Sequence, residues 1–335
     1  DLKCMLREYG PPTFFLTFSC AEYDCPDIER YLRKVNSDVP ETYPINKLCT
    51  EDPISVSRNF SQKFHAFFQS VVIKGGILGQ VTHFYWKKEY QNRGAPHYHA
   101  LVWISGAPVA GVDSSAKVLS FITERVKCNI PDMVESTNLH HAVMRYQQHT
   151  CNAYCQRKIK TKKNEYTTKC KFGFPRAVTK TAVLHDACDA LKKRNRIYNL
   201  VRSEEEERIN DYNPLLLLLW KANCDVQFVA ESSLALAHYV SGYVTKAERS
   251  SMQDMWEEVS ENKSIYGKLY SFGVRSLRSR ECGLYEASDL LLGEHHCEKS
   301  VTVKWVDVPF PHKRNQHQKK HKELERLIQT VRTFS

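Results

Sequence analysis

The sequence predicts an α+β protein built around an antiparallel sheet. Three stretches carry that expectation. The first is "PPTFFLTFSC" at 11–20, the second "VSRNFSQKFHAFFQSVV" at 56–72, and the third "ILGQVTHFYWKKEYQ" with "HYHALVWI" around the turn "NRGAP". An early strand, then a helix, then a long hairpin suit a sheet with helices packed on it.

Each element has a local reason. The first run is aromatic and β-branched after a Pro-Pro start, which reads as a strand. In the second, Phe60, Phe64 and Phe67/Phe68 recur at helical intervals, and "KGG" at 74–76 ends the helix. Gly94 and Pro96 mark the hairpin turn. Further on, "SEEEERIN" at 203–210 reads as the solvated acidic start of a helix. "SSLALAHYVSGYVTKAE" at 232–248 reads as a helix capped by serine, with Leu236, Val240 and Val244 as its core stripe. The tail beyond Pro311 is basic, and its "LERLIQTV" has a helical pattern.

The chain has 335 residues and a formal net charge of +10. A basic chain suits an anionic partner such as nucleic acid. The charge is uneven: residues 157–202 hold fourteen Lys/Arg against three Asp/Glu, and residues 312–335 hold seven against two. A basic segment of this density is either a solvated face or a phosphate-contacting arm with salt-dependent, sequence-independent affinity. The apolar run "PLLLLLW" at 214–220 is far shorter than the roughly 20 residues a membrane span needs, so no membrane association is expected. No Gly-rich phosphate loop occurs, so no ATPase is expected. Twelve cysteines in so long a chain suit a reducing compartment with some cysteines on metal. Asp1 follows no initiator Met or signal pattern, which reads as a fragment of a longer protein.

The hairpin carries the first chemistry. Residues i and i+2 of a strand share a face, so His97 and His99 aim together while Tyr98 points away. Glu89 and Gln91 share a face across the turn. Two imidazoles and one carboxylate with open positions make a catalytic divalent-metal site. The competing reading is a hairpin that happens to carry surface histidines. On the expected helix at 232–248, Tyr239 and Tyr243 lie at i and i+4 on one face, with Lys246 three residues beyond. A phenol with pKa near 10 is a weak nucleophile until a metal or cation stabilises its anion. The competing reading is an aromatic pair packed in a core.

A third constellation lies in "QQHTCNAYCQRKIKTKKNEYTTKCKFGFPR". His149, Cys151, Cys155 and Cys170 fit a structural Zn2+ set, with Cys128, His140 and His141 as substitutes. The alternative is free buried cysteines. Zinc there would pin the insertion so that its basic arm meets DNA.

These residues together resemble a known family. "EYQNRGAPHYHALVWI" resembles the HUH motif of Helitron transposases, Glu-x-Gln-x-Arg-Gly-x-Pro-His-x-His, and "HYVSGYVTKAE" resembles their two-tyrosine motif. "GPPTFFLTFSCAEYDCPDIERYL", "YNPLLLLLWKANCDVQFV" and "RSRECGLYEASDLLLG" resemble other blocks, so the likeness runs through about residues 1–305. "CKFGFP" matches a "CRFGFP"-type run after a similar His/Cys cluster. The resemblance implies an HUH-nuclease fold and a rolling-circle Rep endonuclease of a DNA transposon, acting in the nucleus. A tyrosine would attack a single-stranded DNA phosphate, giving a 5′-phosphotyrosine and a free 3′-hydroxyl. His97 and His99 would be ligands of Mg2+ or Mn2+, with Glu89 the third and Gln91 the alternative third. Tyr239 and Tyr243 would be the nucleophiles, aided by Lys246. Relatives continue into a helicase; this chain lacks one, so unwinding would come from elsewhere.

The expected organisation is a first part of the nuclease core at 1–127 and a Cys/His and basic insertion at 128–212. The two-tyrosine helix with the rest of the core follows at 213–305, and a basic tail at 306–335. Two other functions compete: a non-catalytic zinc-stabilised DNA-binding module, and a metal-dependent nuclease that uses water. Covalent capture of DNA separates them.

Overall fold

The computed structural model describes residues 2–90, 96–153, 155–160, 166–185, 197–229, 264–278 and 283–304. For Lys160 and residues 272–278 it describes the backbone alone. The chain divides into Asp1–Val301 and Thr302–Ser335, and every element below belongs to the first unit.

The architecture is α+β around a five-stranded antiparallel sheet. Helix α1 (Leu2–Tyr9) precedes strand β1 (Phe14–Ser19), the expected first strand. Helices α2 (Pro26–Val35), α3 (Ile45–Glu51) and α4 (Pro53–Phe67) follow, the last running into a π-helical turn at Phe68–Lys74. The hairpin is β2 (Val81–Tyr90) and β3 (Pro96–Ile104). Next come α5 (Ser115–Arg125) and α6 (Thr137–Tyr146), a two-stranded ribbon of β4 (Gln156–Lys160) and β5 (Tyr166–Cys170), and a minimal pair of β6 (Val183–Leu184) and β7 (Tyr198–Asn199). Helix α7 (Pro214–Trp220) leads into β8 (Cys224–Phe228). Helices α8 (Ile265–Arg278) and α9 (Leu284–Leu292) precede β9 (Cys297–Lys299). The main sheet runs β8-β1-β3-β2-β9.

Helix α4 forms for identifiable reasons. The Asp52 carboxylate accepts a hydrogen bond from the Ser55 N–H at 3.0 Å, and Pro53 occupies the first turn. Its phenylalanines then face the sheet: the Phe64 ring stacks on Tyr98 at 3.6 Å, and Phe60 packs 5.3 Å from the same ring. Burying a Phe of this kind stabilises by about 2–3 kcal/mol, so Phe64→Ala would be among the costliest single changes.

Strand parity sorts the sheet. Phe14, Leu16 and Phe18 of β1, Trp86 of β2, Tyr98, Ala100 and Val102 of β3 and Cys224, Val226 and Phe228 of β8 fill the inner face. There they meet α4, α5 and α7. On the outer face, α1 lays Met5 and Leu6 over Phe15, Leu101 and Trp103. That cover stops partway along β3: Leu101 and Trp103 are buried, whereas His97 and His99, on the same face, are only half-buried.

One expected element is absent. "SEEEERIN" forms turns rather than a helix. The Glu206 carboxylate instead accepts hydrogen bonds from the Ile130 and Ser203 N–H groups, both at loop positions. The buried Arg202 guanidinium donates to the Ile209 carbonyl and pairs with Asp211 at 2.9 Å. Capping and salt-bridge demands of the neighbouring loops outweigh helix propensity here. The expected helix at 232–248 and the helical pattern in the tail lie outside the described residues. Among the described residues no helix is long and apolar enough to cross a membrane.

Candidate functional site

The outer face of the hairpin assembles as strand parity predicts. Glu89 is the register partner of His97, and Lys87 of His99. Across the other edge of β3, Ser19 pairs with His97 and Thr17 with His99. The His99 Nε2 lies 2.8 Å from Glu89 Oε2, and its Nδ1 lies 3.0 Å from Thr17 Oγ1. Both ring nitrogens are therefore engaged, and the ring stacks on Phe15 at 5.5 Å between centroids. The imidazole is fixed in position and in rotation about its bond to the strand. With Nδ1 held by a hydroxyl, Nε2 is the nitrogen facing the carboxylate, an arrangement that suits a metal-binding imidazole with its second nitrogen anchored. His97, His99 and Glu89 are residue types that a hard or borderline divalent cation takes, but their three donor atoms are not drawn together as those of the Cys/His cluster are. Gln91, the alternative third ligand, and Tyr239, Tyr243 and Lys246 lie outside the described residues.

The back of this hairpin is equally specific. Lys88, next to Glu89 but of opposite parity, points into the core and is 1% exposed. Its ammonium pairs with Asp289 of α9, which is fully buried. It also donates to Ser61 at 2.9 Å and Ser57 at 3.3 Å, both on α4. Asp289 accepts further hydrogen bonds from the Ser57 and Tyr90 hydroxyls. Burial, then the Asp289 hydrogen bond, pushes the Tyr90 phenol far above its ordinary value. A buried charge of this kind is stable only when paired and hydrogen-bonded. The network ties β2, α4 and α9 together directly beneath Glu89. Sequence reasoning passed over Lys88 and Asp289, although parity carried the signal: if Glu89 faces out, Lys88 must face in.

The Cys/His cluster is the second site. His149, Cys151, Cys155 and Cys170 place one donor atom each within 4.8 Å of one another, the same four residues that spacing picks out. Among the described residues no other set of three or more such donors is drawn so close. Cys170 Sγ lies 3.3 Å from His149 Nε2, and the imidazole stacks on Phe174 at 4.4 Å. The Arg208 guanidinium donates to Cys151 Sγ at 3.5 Å. Burial, with Arg208 and Arg176 nearby, holds the His149 imidazole below its ordinary pKa and favours the neutral, ligand-competent form. Burial raises the Cys151 thiol, whereas at Cys170 burial is outweighed by backbone N–H groups of Phe174 and Phe172, which lower it. A soft set of one nitrogen and three sulfurs can hold an ion such as zinc, which takes four such ligands tetrahedrally. Of the substitutes considered, Cys128 is buried and hydrogen-bonds the Val201 carbonyl, and His140 contacts the Pro131 carbonyl at 2.8 Å; neither belongs to the cluster.

Comparison with known families reaches the hairpin motif and not the two-tyrosine motif. Residues 1–102, which contain β1, α4, β2 and most of β3, match the family described as the Helitron helicase-like domain at the N-terminus. The match covers about a third of the chain. No curated protein matches the chain.

Proposed function

We propose that this chain is the nuclease part of a Helitron transposase, with an HUH fold, and that it cuts single-stranded DNA by tyrosine attack. The observation that carries the reading is the outer face of the hairpin: His99 held between Thr17 and Glu89, with His97 in register beside them. The family match over residues 1–102 supports a transposase of this class.

His97, His99 and Glu89 would hold Mg2+ or Mn2+, with Gln91 as an alternative ligand. When bound, such an ion polarises a phosphate and stabilises its developing charge. Tyr239 or Tyr243 supplies the nucleophile. Its Oη forms a bond to phosphorus, the bond from phosphorus to the 3′-oxygen breaks, and the phenolic proton is balanced by protonation of that oxygen. One phosphoester replaces another, so the step needs no ATP and runs backwards to rejoin strands. Lys246, three residues from Tyr243, favours the phenolate. The nucleus is the compartment this reading implies, and a helicase its functional partner.

The test is substitution of the ligands. His97→Ala or His99→Ala is expected to reduce cleavage about a thousandfold, as loss of several kcal/mol of charge stabilisation implies. Affinity for single-stranded DNA should persist, because phosphate contacts dominate it. Full cleavage by either variant contradicts the metal assignment.

A further inference from the structure

The ribbon β4–β5 stands apart from the rest of the fold. Apart from Cys170, every residue of β5 is exposed, and so are Gln156, Arg157, Lys158 and Ile159 of β4. A strand that buries neither face gains no core packing, and a lone two-stranded ribbon is marginal in water. This one is fastened at its base. Cys155 immediately precedes β4 and Cys170 ends β5, and both belong to the Cys/His cluster. The fold therefore secures one end of the ribbon and leaves both faces in solvent.

Its charge is arranged against its own stability. Arg157 is the direct register partner of Lys169, and neither "QRKIK" nor "YTTKC" contains an acidic residue. Like charges directly opposite on antiparallel strands are destabilising. An anion seated between them would reverse that cost. On the other face, Lys158 lies opposite Thr168. Exposed Ile159 and Tyr166, the latter 71% exposed, add apolar contact area.

We propose that β4–β5 is a contact surface for duplex DNA, distinct from the single strand handled at the His97/His99/Glu89 face; the choice of DNA as the polyanion rests on the nuclease reading above. The dimensions favour duplex. Five residues per strand span about 17 Å, and a two-stranded ribbon enters the B-DNA major groove, which is about 12 Å wide. On the face of Arg157 and Lys169, these two cations would contact phosphates along the groove walls while Ile159 and Thr167 face base edges; Lys158, Thr168 and Tyr166 lie on the opposite face. A nuclease that cuts one strand beside a duplex junction thereby holds both parts of its substrate.

The experiment is fluorescence anisotropy across a salt series, without divalent metal, on the full chain and on Arg157→Gln with Lys169→Gln. The probes are a labelled duplex and a labelled oligothymidylate of equal length. Duplex affinity is expected to fall about tenfold and its salt slope by about 2, since each lost phosphate contact removes about 0.9. Affinity for oligothymidylate should not change, and thermal stability should hold or rise as the repulsion is relieved. Charge-retaining Arg157→Lys with Lys169→Arg should keep duplex affinity. Equal losses on both probes, no loss on duplex, or a drop in melting temperature each overturn the proposal. The nuclease reading fails separately: a chain that forms no tyrosine adduct yet binds duplex through this ribbon loses that reading and keeps this one.

Discussion

Two clusters of metal-type ligands in this chain are built in opposite ways. The Cys/His set is drawn together: four donors lie within 4.8 Å, stacked against Phe174 and fastening the base of a ribbon. The hairpin set is spread along a sheet edge. His99 and Glu89 touch with side chains 14% and 16% exposed, and His97 stands in register beside them. A closed soft set suits a structural ion, which needs no room for substrate. The nitrogen and oxygen donors of the hairpin are of the kind a hard or borderline divalent cation takes. The rigidity of the second site comes instead from its surroundings, Thr17 in front and the Lys88–Asp289 network behind.

That contrast is broken most severely at the Cys/His cluster. Structural zinc contributes roughly 10 kcal/mol or more to small metallo-sites. Cys170→Ser is therefore expected to release zinc, measured by metal analysis, and to make the segment around β4 and β5 protease-sensitive. Cleavage chemistry at the hairpin should survive in what remains folded. Well-folded unsubstituted protein without zinc would contradict the structural role.

The buried pair behind the hairpin comes next. Lys88→Met leaves Asp289 buried without its cation and should cost about 3–5 kcal/mol in urea unfolding. Lys88→Met together with Asp289→Leu should recover much of that, because removing both charges also removes their desolvation cost. A single variant as stable as the parent would mean that the network does not support the hairpin.

The smallest expected effect sharpens the comparison most. Thr17→Val keeps shape and removes the hydroxyl that holds His99 Nδ1. Loss of such an outer contact typically weakens metal binding about 10- to 100-fold. Nitrogen chemical shifts of His99 should show a changed tautomer balance even without metal, and Thr17→Ser should restore both. An unchanged tautomer in Thr17→Val would remove the positioning role.

Much of this was legible in the sequence where the rule is local. Period-2 alternation put His97, His99 and Glu89 on one face, helical spacing placed the phenylalanines of α4, and cysteine spacing found the four cluster residues. Contacts between residues distant in sequence were not legible. Thr17 meets His99 only because β1 pairs with β3, and Lys88 meets Asp289 across 201 positions. Nor does local pattern reveal that α1 covers only half of the outer face. The acidic run at 203–210 misled for a related reason: its Glu206 carboxylate is used by Ile130, far back in the chain.

Tyrosine attack with the hairpin holding a metal ion, the function proposed above, is tested most directly by covalent trapping. Labelled single-stranded DNA is incubated with the chain and Mn2+ or Mg2+, with and without EDTA, and resolved on denaturing gels; linked peptides are then mapped. A metal-dependent, protease-sensitive adduct on Tyr239 or Tyr243 is expected, and it should disappear when both are changed to Phe. Cleavage that persists in that double variant, with no adduct in the parent, would contradict it and identify water as the nucleophile.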